Sequence, residues 1–180
     1  MATVEPSDLT AFEADYARGR RRRVVAELVP VAAYVALLAA LTGLRPQVLV
    51  VSALALVLAL VALWRGETMG RAVYPGMLVG VVPFACSFAG GRIGHVCTGD
   101  ACVSLCMPLC AAGGAIAGLL VARAVRRERS PLLAVVMGAL ALAIGSLGCP
   151  HAGVASLSAM GLGLVGPLAL ARIVALVRGT

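Results

Sequence analysis

The sequence predicts an all-α fold, a polytopic membrane bundle of six transmembrane helices with both termini in the cytoplasm. Hydrophobic residues make up 61% of the chain, and the mean hydropathy of +1.01 is far above that of a soluble domain. When the apolar stretches are threaded through a bilayer in order, thirteen of the fifteen arginines fall on one side. Because positively charged residues concentrate in cytoplasmic loops, this asymmetry predicts the orientation of the chain in the membrane as well as its membrane-protein class.

A transmembrane helix needs ~20 mostly apolar residues to cross ~30 Å of hydrocarbon. Six stretches of the sequence approach that length, at 24–43, 47–64, 72–90, 103–122, 132–148 and 154–176. Short segments that contain glycine, proline or charge separate them. The spacings Gly76–Gly80 and Gly114–Gly118 are GxxxG patterns, which favour close packing of helices within the chain.

Arginine alone sets the orientation, because the chain has no lysine. The arginines on the predicted cytoplasmic side are Arg18, Arg20, Arg21, Arg22, Arg23, Arg65, Arg71, Arg123, Arg126, Arg127, Arg129, Arg172 and Arg178. Only Arg45 and Arg92 fall on the outer side. The all-arginine usage, with abundant Ala, Gly, Val and Leu, is typical of a GC-rich bacterial genome. We therefore expect a multi-pass protein of the bacterial inner membrane, with no cleavable signal peptide before the first span.

Two regions follow from this threading, a cytoplasmic N-terminal segment 1–23 and a transmembrane domain 24–180. The net charge of +7 would suit a nucleic acid partner. The run RGRRRR directly precedes the first span, however, and such a run fixes topology and contacts anionic lipid. We therefore expect the lipid bilayer as a partner and no direct binding of nucleic acid.

The start of the N-terminal segment has a helix-forming pattern from Pro6 to Tyr16. Leu9, Phe12 and Tyr16 recur at i, i+3 and i+7 and share one helix face, while Glu13 lies on a more polar side. Such a short segment is only marginally helical alone. Two interpretations stay open: a frayed tail, or a segment that binds a partner protein through these four residues.

All six cysteines and both histidines fall in the outer half of the bilayer or outside it. They are Cys86, Cys97, Cys102, Cys106, Cys110 and Cys149, with His95 and His151. Three of the cysteines are spaced i, i+4 and i+8 and so predict a stack on one face of the fourth helix. A disulfide within that stack would be strained, because Cβ atoms one turn apart are ~5–6 Å apart and a disulfide needs ~3.5–4.5 Å.

Three interpretations of this cluster remain open. The thiols can form structural disulfides and buried free cysteines, with Cys97 and Cys102 as a pair across the segment TGDA. They can bind a soft metal ion such as zinc, with Cys102, Cys106, Cys149 and His151 as the ligands. They can also form a redox-active pair, although the sequence has no CxxC motif. No cofactor is certain.

Several segments resemble the NrsF-type family of six-span bacterial anti-sigma factors. The similar features are the opening SDLTAFEAD before an arginine run, the turn GLRPQ, and the closing block from RRERSP through LGCPHAG to MGLGLVGPLALARIVALVRG. The family pattern pairs a late extracytoplasmic cysteine, here Cys149, with one before the fourth span, a place that either Cys97 or Cys102 fills. Cys106 and Cys110 have no counterpart in that pattern.

The resemblance implies a membrane-embedded anti-sigma factor. Segment 1–23 would hold an extracytoplasmic-function (ECF) sigma factor at the membrane, and a metal or oxidant at the outer thiols would release it. The alternative is a small transporter of a soft metal ion, which the absence of Cys and His from the inner half of the bundle disfavours. We expect no enzymatic activity, since only Asp100 is acidic on the outer side and no nucleophile–base pattern is present. The oligomeric state is left open.

Overall fold

The computed structural model describes residues 6–98, 101–128, 130–149 and 154–178. Helices dominate the described chain, and one short pair of strands joins the fourth helix to the fifth. The elements are α1 Pro6–Thr42, α2 Pro46–Arg65, α3 Glu67–Gly70, α4 Val73–Ile93, β1 His95–Thr98, β2 Ala101–Ser104, α5 Cys106–Glu128, α6 Pro131–Leu147 and α7 Val154–Arg178. The predicted helical class is confirmed.

Four helical segments are long and apolar enough to cross a membrane: Asp15–Thr42, Pro46–Arg65, Thr68–Ile93 and Cys106–Glu128. A further apolar helix, Pro131–Leu147, is shorter, and the apolar stretch Leu157–Ala171 belongs to the 25-residue α7. The 17 residues of α6 span about 25 Å, slightly less than the hydrocarbon thickness. The fold is thus compatible with a multi-pass membrane protein.

Prolines mark the starts of two helices. Pro46 begins α2 and Pro131 begins α6, because a first helical residue needs no N–H partner and proline already has helical φ. Pro83 instead lies inside α4, which continues unbroken to Ile93. The turns after α1 and α2 contain Gly43 and Gly66 with φ of +92° and +115°, a conformation that residues with a Cβ rarely adopt.

Helix α1 has 37 residues and is therefore about 55 Å long, well beyond the ~30 Å that a span requires. The helix predicted from Pro6 to Tyr16 is confirmed as its first part. A single helix also runs through the boundary drawn between residues 23 and 24. The N-terminal segment is thus a direct extension of the first apolar helix.

The predicted start of the fourth span is wrong. Residues 101–104 form strand β2, and α5 begins only at Cys106. The backbone at Leu105 explains the boundary, because its N–H donates to the carbonyl of Gly94 and its carbonyl accepts the N–H of Leu109. Cys102 is therefore in a strand, and the prediction that it shares a helix face with Cys106 is wrong.

Small residues set the closest helix contacts. A Cβ at Gly80 would lie 2.8 Å from the Cβ of Ile144, so α4 and α6 approach too closely for a larger residue. A Cβ at Gly114 or Gly118 would overlap the carbonyl oxygen of Met160 or Leu164 in α7. Both predicted GxxxG patterns therefore pack helices within the chain.

One cluster of the apolar core lies between α1, α2, α4 and α6. It is represented by Val35, Ala55, Phe84 and Ile144, which are all buried, with one residue from each of these helices. Large apolar side chains remain exposed along the same helices, Leu37, Val50, Leu54 and Leu78 among them. Exposed leucines and valines of this number fit a surface that faces lipid.

Candidate metal and thiol site

Three cysteine sulfurs converge at one end of the bundle. The Sγ atom of Cys106 lies 3.2 Å from that of Cys149 and 4.0 Å from that of Cys110. All three atoms lie within 4.8 Å of one another. Within the described residues, this is the one group of three cysteine, histidine or acidic side chains close enough to share a metal ion.

Local structure explains how residues so far apart in the chain meet. Cys106 and Cys110 lie one turn apart at the start of α5 and therefore share a face. Cys149 follows the end of α6, where Gly148 packs directly on the carbonyl of Phe84 in α4. Because only glycine permits that contact, α6 ends against α4, and the next residue points its thiol toward α5.

The site combines burial with one accessible edge. Cys110 is 1% exposed and Cys149 is 7% exposed, whereas Cys106 is only half-buried. The hydroxyl of Ser87, itself 1% exposed, lies 3.3 Å from the sulfur of Cys110. Helix α4 thus adds a polar group to a site made otherwise by α5 and the end of α6.

Two kinds of chemistry suit this geometry. Zinc–sulfur bonds of ~2.3 Å place the sulfurs of a shared metal ion ~3.8–4.0 Å apart, close to the separations found here. Cys106 and Cys149 also lie near enough to form a disulfide with a small movement, since a sulfur–sulfur bond is ~2.05 Å long. Cys110 takes part only in metal binding, because its sulfur is farther from Cys106 than that of Cys149 and a disulfide across one helical turn would be strained.

The structure brings together only part of the ligand set predicted from the sequence. Cys106 and Cys149 meet, whereas Cys102 lies in β2 and its side chain is outside the described part, as is residue His151. Cys110 completes the group, and sequence reasoning left it out of the ligand set. Its i+4 spacing from Cys106 is the sequence signal that could have identified it as a ligand.

The strand pair bears on the predicted disulfide. Strands β1 and β2 are antiparallel, and their register places Cys97 directly opposite Cys102. Opposite residues in antiparallel strands have Cα atoms ~4.5–5.5 Å apart, and a disulfide requires ~4.4–6.8 Å. The backbone therefore suits a bond between these two cysteines, and the bond itself stays a prediction. Cys86 is separate, with its side chain against Gly113 of α5.

The residues predicted to bind a partner all lie in the first part of α1. Leu9, Phe12 and Glu13 are helical, and their side chains are outside the described part. Tyr16 is 65% exposed. The helical spacing of the three apolar residues places them on one face, as predicted from the pattern.

Helix α4 connects the thiol end to the opposite end of the bundle. Near its start, the hydroxyl of Tyr74 donates to the carbonyl oxygen of Glu27 in α1, at 3.3 Å. Near its end, Ser87 contacts Cys110. These two residues are about 20 Å apart along the helix axis. One helix therefore contacts both the thiol site and the base of the N-terminal extension.

The chain matches no protein-family model, no curated protein and no solved structure.

Proposed function

We propose that this chain is a multi-pass protein of the bacterial inner membrane that holds an ECF sigma factor at its cytoplasmic face. A thiophilic metal ion at Cys106, Cys110 and Cys149 releases that partner. The observation that supports this proposal most is the convergence of three thiols at the end of the bundle opposite the N-terminal extension of α1. The resemblance to six-span anti-sigma factors supplies the class of partner.

Charge supports the proposed orientation. The arginine run of α1 and Arg71 lie at one end, where α2 finishes and α4 begins. Arg92 lies at the other end, where its guanidinium stacks on the ring of Phe88, 5.0 Å from the ring centre. The positive-inside rule then puts the thiol site on the outer side.

The N-terminal extension suits a protein partner that recognises a helix. Its first residues already belong to the 37-residue α1. A partner that binds the face formed by Leu9, Phe12 and Tyr16 would use the helix-in-groove mode. Because that helix continues into α1, less ordering entropy is lost on binding than for a free peptide of the same length.

Helix α4 supplies the coupling between signal and partner. Metal binding draws three sulfurs to one distance from the ion, which shifts α5 and the end of α6 against α4. That shift reaches α1 through the contact of Tyr74 with Glu27. A stimulus changes partner binding only if it binds the releasing state more tightly, and a ~100-fold preference corresponds to ~2.7 kcal/mol.

An oxidative signal is the alternative trigger at the same site. Oxidation of Cys106 and Cys149 by an external peroxide or quinone would form one sulfur–sulfur bond and release two protons and two electrons to the oxidant. Cys110 distinguishes the two triggers, because it is a ligand of the metal ion and takes no part in the Cys106–Cys149 disulfide.

Transport of a soft metal ion is the other candidate function, and it has less support. A transporter needs ligands along its path. In the part of the chain that the structure describes, the grouped ligands occur at one end only. Buried Met77 and Met137 lie within the bundle, but both belong to apolar packing clusters.

The test is affinity purification of the tagged chain from native membranes in mild detergent, followed by mass spectrometry and a sigma-dependent reporter assay. We expect a stoichiometric sigma factor that is lost on deletion of residues 1–16. Metal should release it from the wild type and from Cys86→Ser, the control cysteine outside the cluster, but not from Cys149→Ser. A retained metal without any soluble partner would favour metal handling and contradict the anti-sigma proposal.

A further inference from the structure

A cavity with charged and apolar lining residues lies at the arginine-rich end, between the N-terminal half of α1, the end of α2 and the start of α4. Its volume is about 440 Å³. The charged residues in its described lining are Arg20, Arg23, Arg71 and Glu27. Three guanidinium groups against one carboxylate give this lining a net positive charge, which suits an anionic ligand.

Contacts inside the cavity hold its walls in place. Arg23 donates to the carboxylate of Glu27 at 2.9 Å, and Arg20 donates to the backbone carbonyl of Trp64. The guanidinium of Arg20 also stacks on the ring of Trp64, with 5.7 Å to the ring centre. Tyr74 joins α4 to α1 across the same cavity. Three helices therefore share one set of polar contacts around it.

The lining is amphipathic, since it combines buried apolar side chains with exposed aromatic ones. Val24 and Leu63 are buried lining residues that continue into the apolar core. Tyr16 and Tyr74 are exposed lining residues. Aromatic residues of this kind concentrate where a membrane meets water. The cavity lies at the ends of three candidate spans, at the depth of lipid phosphates if those helices cross a bilayer.

We propose that this cavity binds the headgroup of an anionic phospholipid from the cytoplasmic leaflet, with its phosphate between Arg23 and Arg71. Arginine forks match phosphate oxygens in pairs, and basic cavities between transmembrane helices on the cytoplasmic side bind such headgroups. The apolar wall at Val24 and Leu63 receives the upper acyl chain. The site is separate from the three thiols and does not depend on the proposed sensing role.

A soluble anion or an acidic segment of a protein partner would find the same charges. The lipid is favoured because the lining places arginines beside buried apolar side chains at a membrane interface. A lipid contacts both kinds of side chain, whereas free phosphate contacts only the arginines. An acidic protein segment would also have to enter between three helices. Both alternatives are outcomes of the experiment below.

The experiment uses Trp64, the single tryptophan of the chain, as its reporter. Purified protein in a neutral detergent is titrated with short-chain phosphatidylglycerol, phosphatidylcholine or inorganic phosphate, and its fluorescence is followed. Arg23→Gln with Arg71→Gln is the test variant, and Arg20 is kept to preserve its stacking on Trp64. Arg45→Gln with Arg92→Gln at the other end is the control, because it removes equal charge.

We expect saturable binding of phosphatidylglycerol to the wild type and to the control, with a loss of at least tenfold in affinity for the test variant. Native mass spectrometry of the wild type from an equimolar lipid mixture should retain one phosphatidylglycerol and no phosphatidylcholine. This measurement needs no variant, so it tests the proposal even if the test variant does not fold.

Three results would overturn the proposal. Equal affinity for phosphatidylglycerol in the test and control variants would mean that lipid binds by surface charge alone. Inorganic phosphate that binds as tightly as the lipid would make the cavity a site for a soluble anion. Loss of sigma factor capture in the test variant, with lipid binding unchanged, would assign the cavity to the protein partner.

Discussion

The sulfur atoms of Cys106 and Cys149 lie 3.2 Å apart, although 43 positions separate the two residues in the chain. The contact joins the first turn of α5 to the end of α6. Cys110 adds a third sulfur from the next turn of α5, and Ser87 adds a hydroxyl from α4. Any ion or oxidant that changes these distances therefore acts on three helices at once.

Replacement of Cys110 by serine separates metal binding from disulfide formation. Removing one of three thiolates should lower the affinity for Cd²⁺ or Zn²⁺ by about 100-fold or more, since losing even an outer-shell partner costs ~10–100-fold. The Cys106–Cys149 pair remains, so its oxidation should be unchanged. Competition with a chromophoric chelator measures the metal affinity. Thiol alkylation with mass spectrometry measures the oxidation of the Cys106–Cys149 pair.

Cys86→Ser is the matched control for this prediction, because Cys86 packs against Gly113 in the same region and lies outside the cluster. It should bind metal like the wild type. Equal metal affinity in the Cys110 and Cys86 variants would show that the ion does not use three thiolates.

The register of the hairpin predicts a disulfide between Cys97 and Cys102. In protein isolated from membranes without reductant, both residues should resist alkylation, and Cys97→Ser should make Cys102 reactive. Peptide mapping before and after reduction checks this. Free alkylation of both cysteines in native membranes would exclude the bond.

Much of the fold could be predicted from the sequence because long apolar runs and prolines mark helices locally. Pro46 and Pro131 begin α2 and α6 at the predicted places within one residue. The sequence wrongly predicts a helix around Cys102, since apolar residues in a short run fit either a helix or a strand. Residues 101–104 form a strand because they pair with residues 95–98, and no local sequence pattern indicates such a pairing partner.

The site could be predicted only in part, for a similar reason. The spacing of Cys106 and Cys110 fixes their shared helix face, which is a local property. That Cys149 joins them depends on the close contact of Gly148 with Phe84, which is a packing relationship between distant helices. The link through Tyr74 and Glu27 had no sequence signal at all, because neither residue belongs to a motif.

Close packing of α5 on α7 predicts that Gly118→Ala destabilises the protein. The new Cβ would overlap the backbone carbonyl of Leu164, so the helices must separate, at a cost of about 1–3 kcal/mol. Gly161→Ala in α7 is the control, because its Cβ would enter open space and alanine favours a helix over glycine by ~1 kcal/mol. Thermal unfolding in detergent should give a lower midpoint for the first and an unchanged or higher midpoint for the second. Equal midpoints would contradict the packing.

Coupling through α4 predicts a specific effect of Tyr74→Phe. The change removes one hydrogen bond to the carbonyl of Glu27, worth about 0.5–1.5 kcal/mol, and leaves the thiol site untouched. Metal affinity without the partner should therefore stay at the wild-type value, while metal should release the partner less completely. The measurement is sigma factor retained on immobilised membranes across a metal titration, with metal binding measured on the same membranes free of sigma factor.

Tyr34→Phe is the control for this variant, because the hydroxyl of Tyr34 is buried and accepts or donates no hydrogen bond among the described residues. Its removal should leave stability unchanged or improved, since a buried polar group without a partner is unfavourable. Metal should then release the partner from Tyr34→Phe as it does from the wild type. If Tyr74→Phe releases the partner at the same metal concentration and to the same extent as Tyr34→Phe, α4 does not transmit the signal through Glu27.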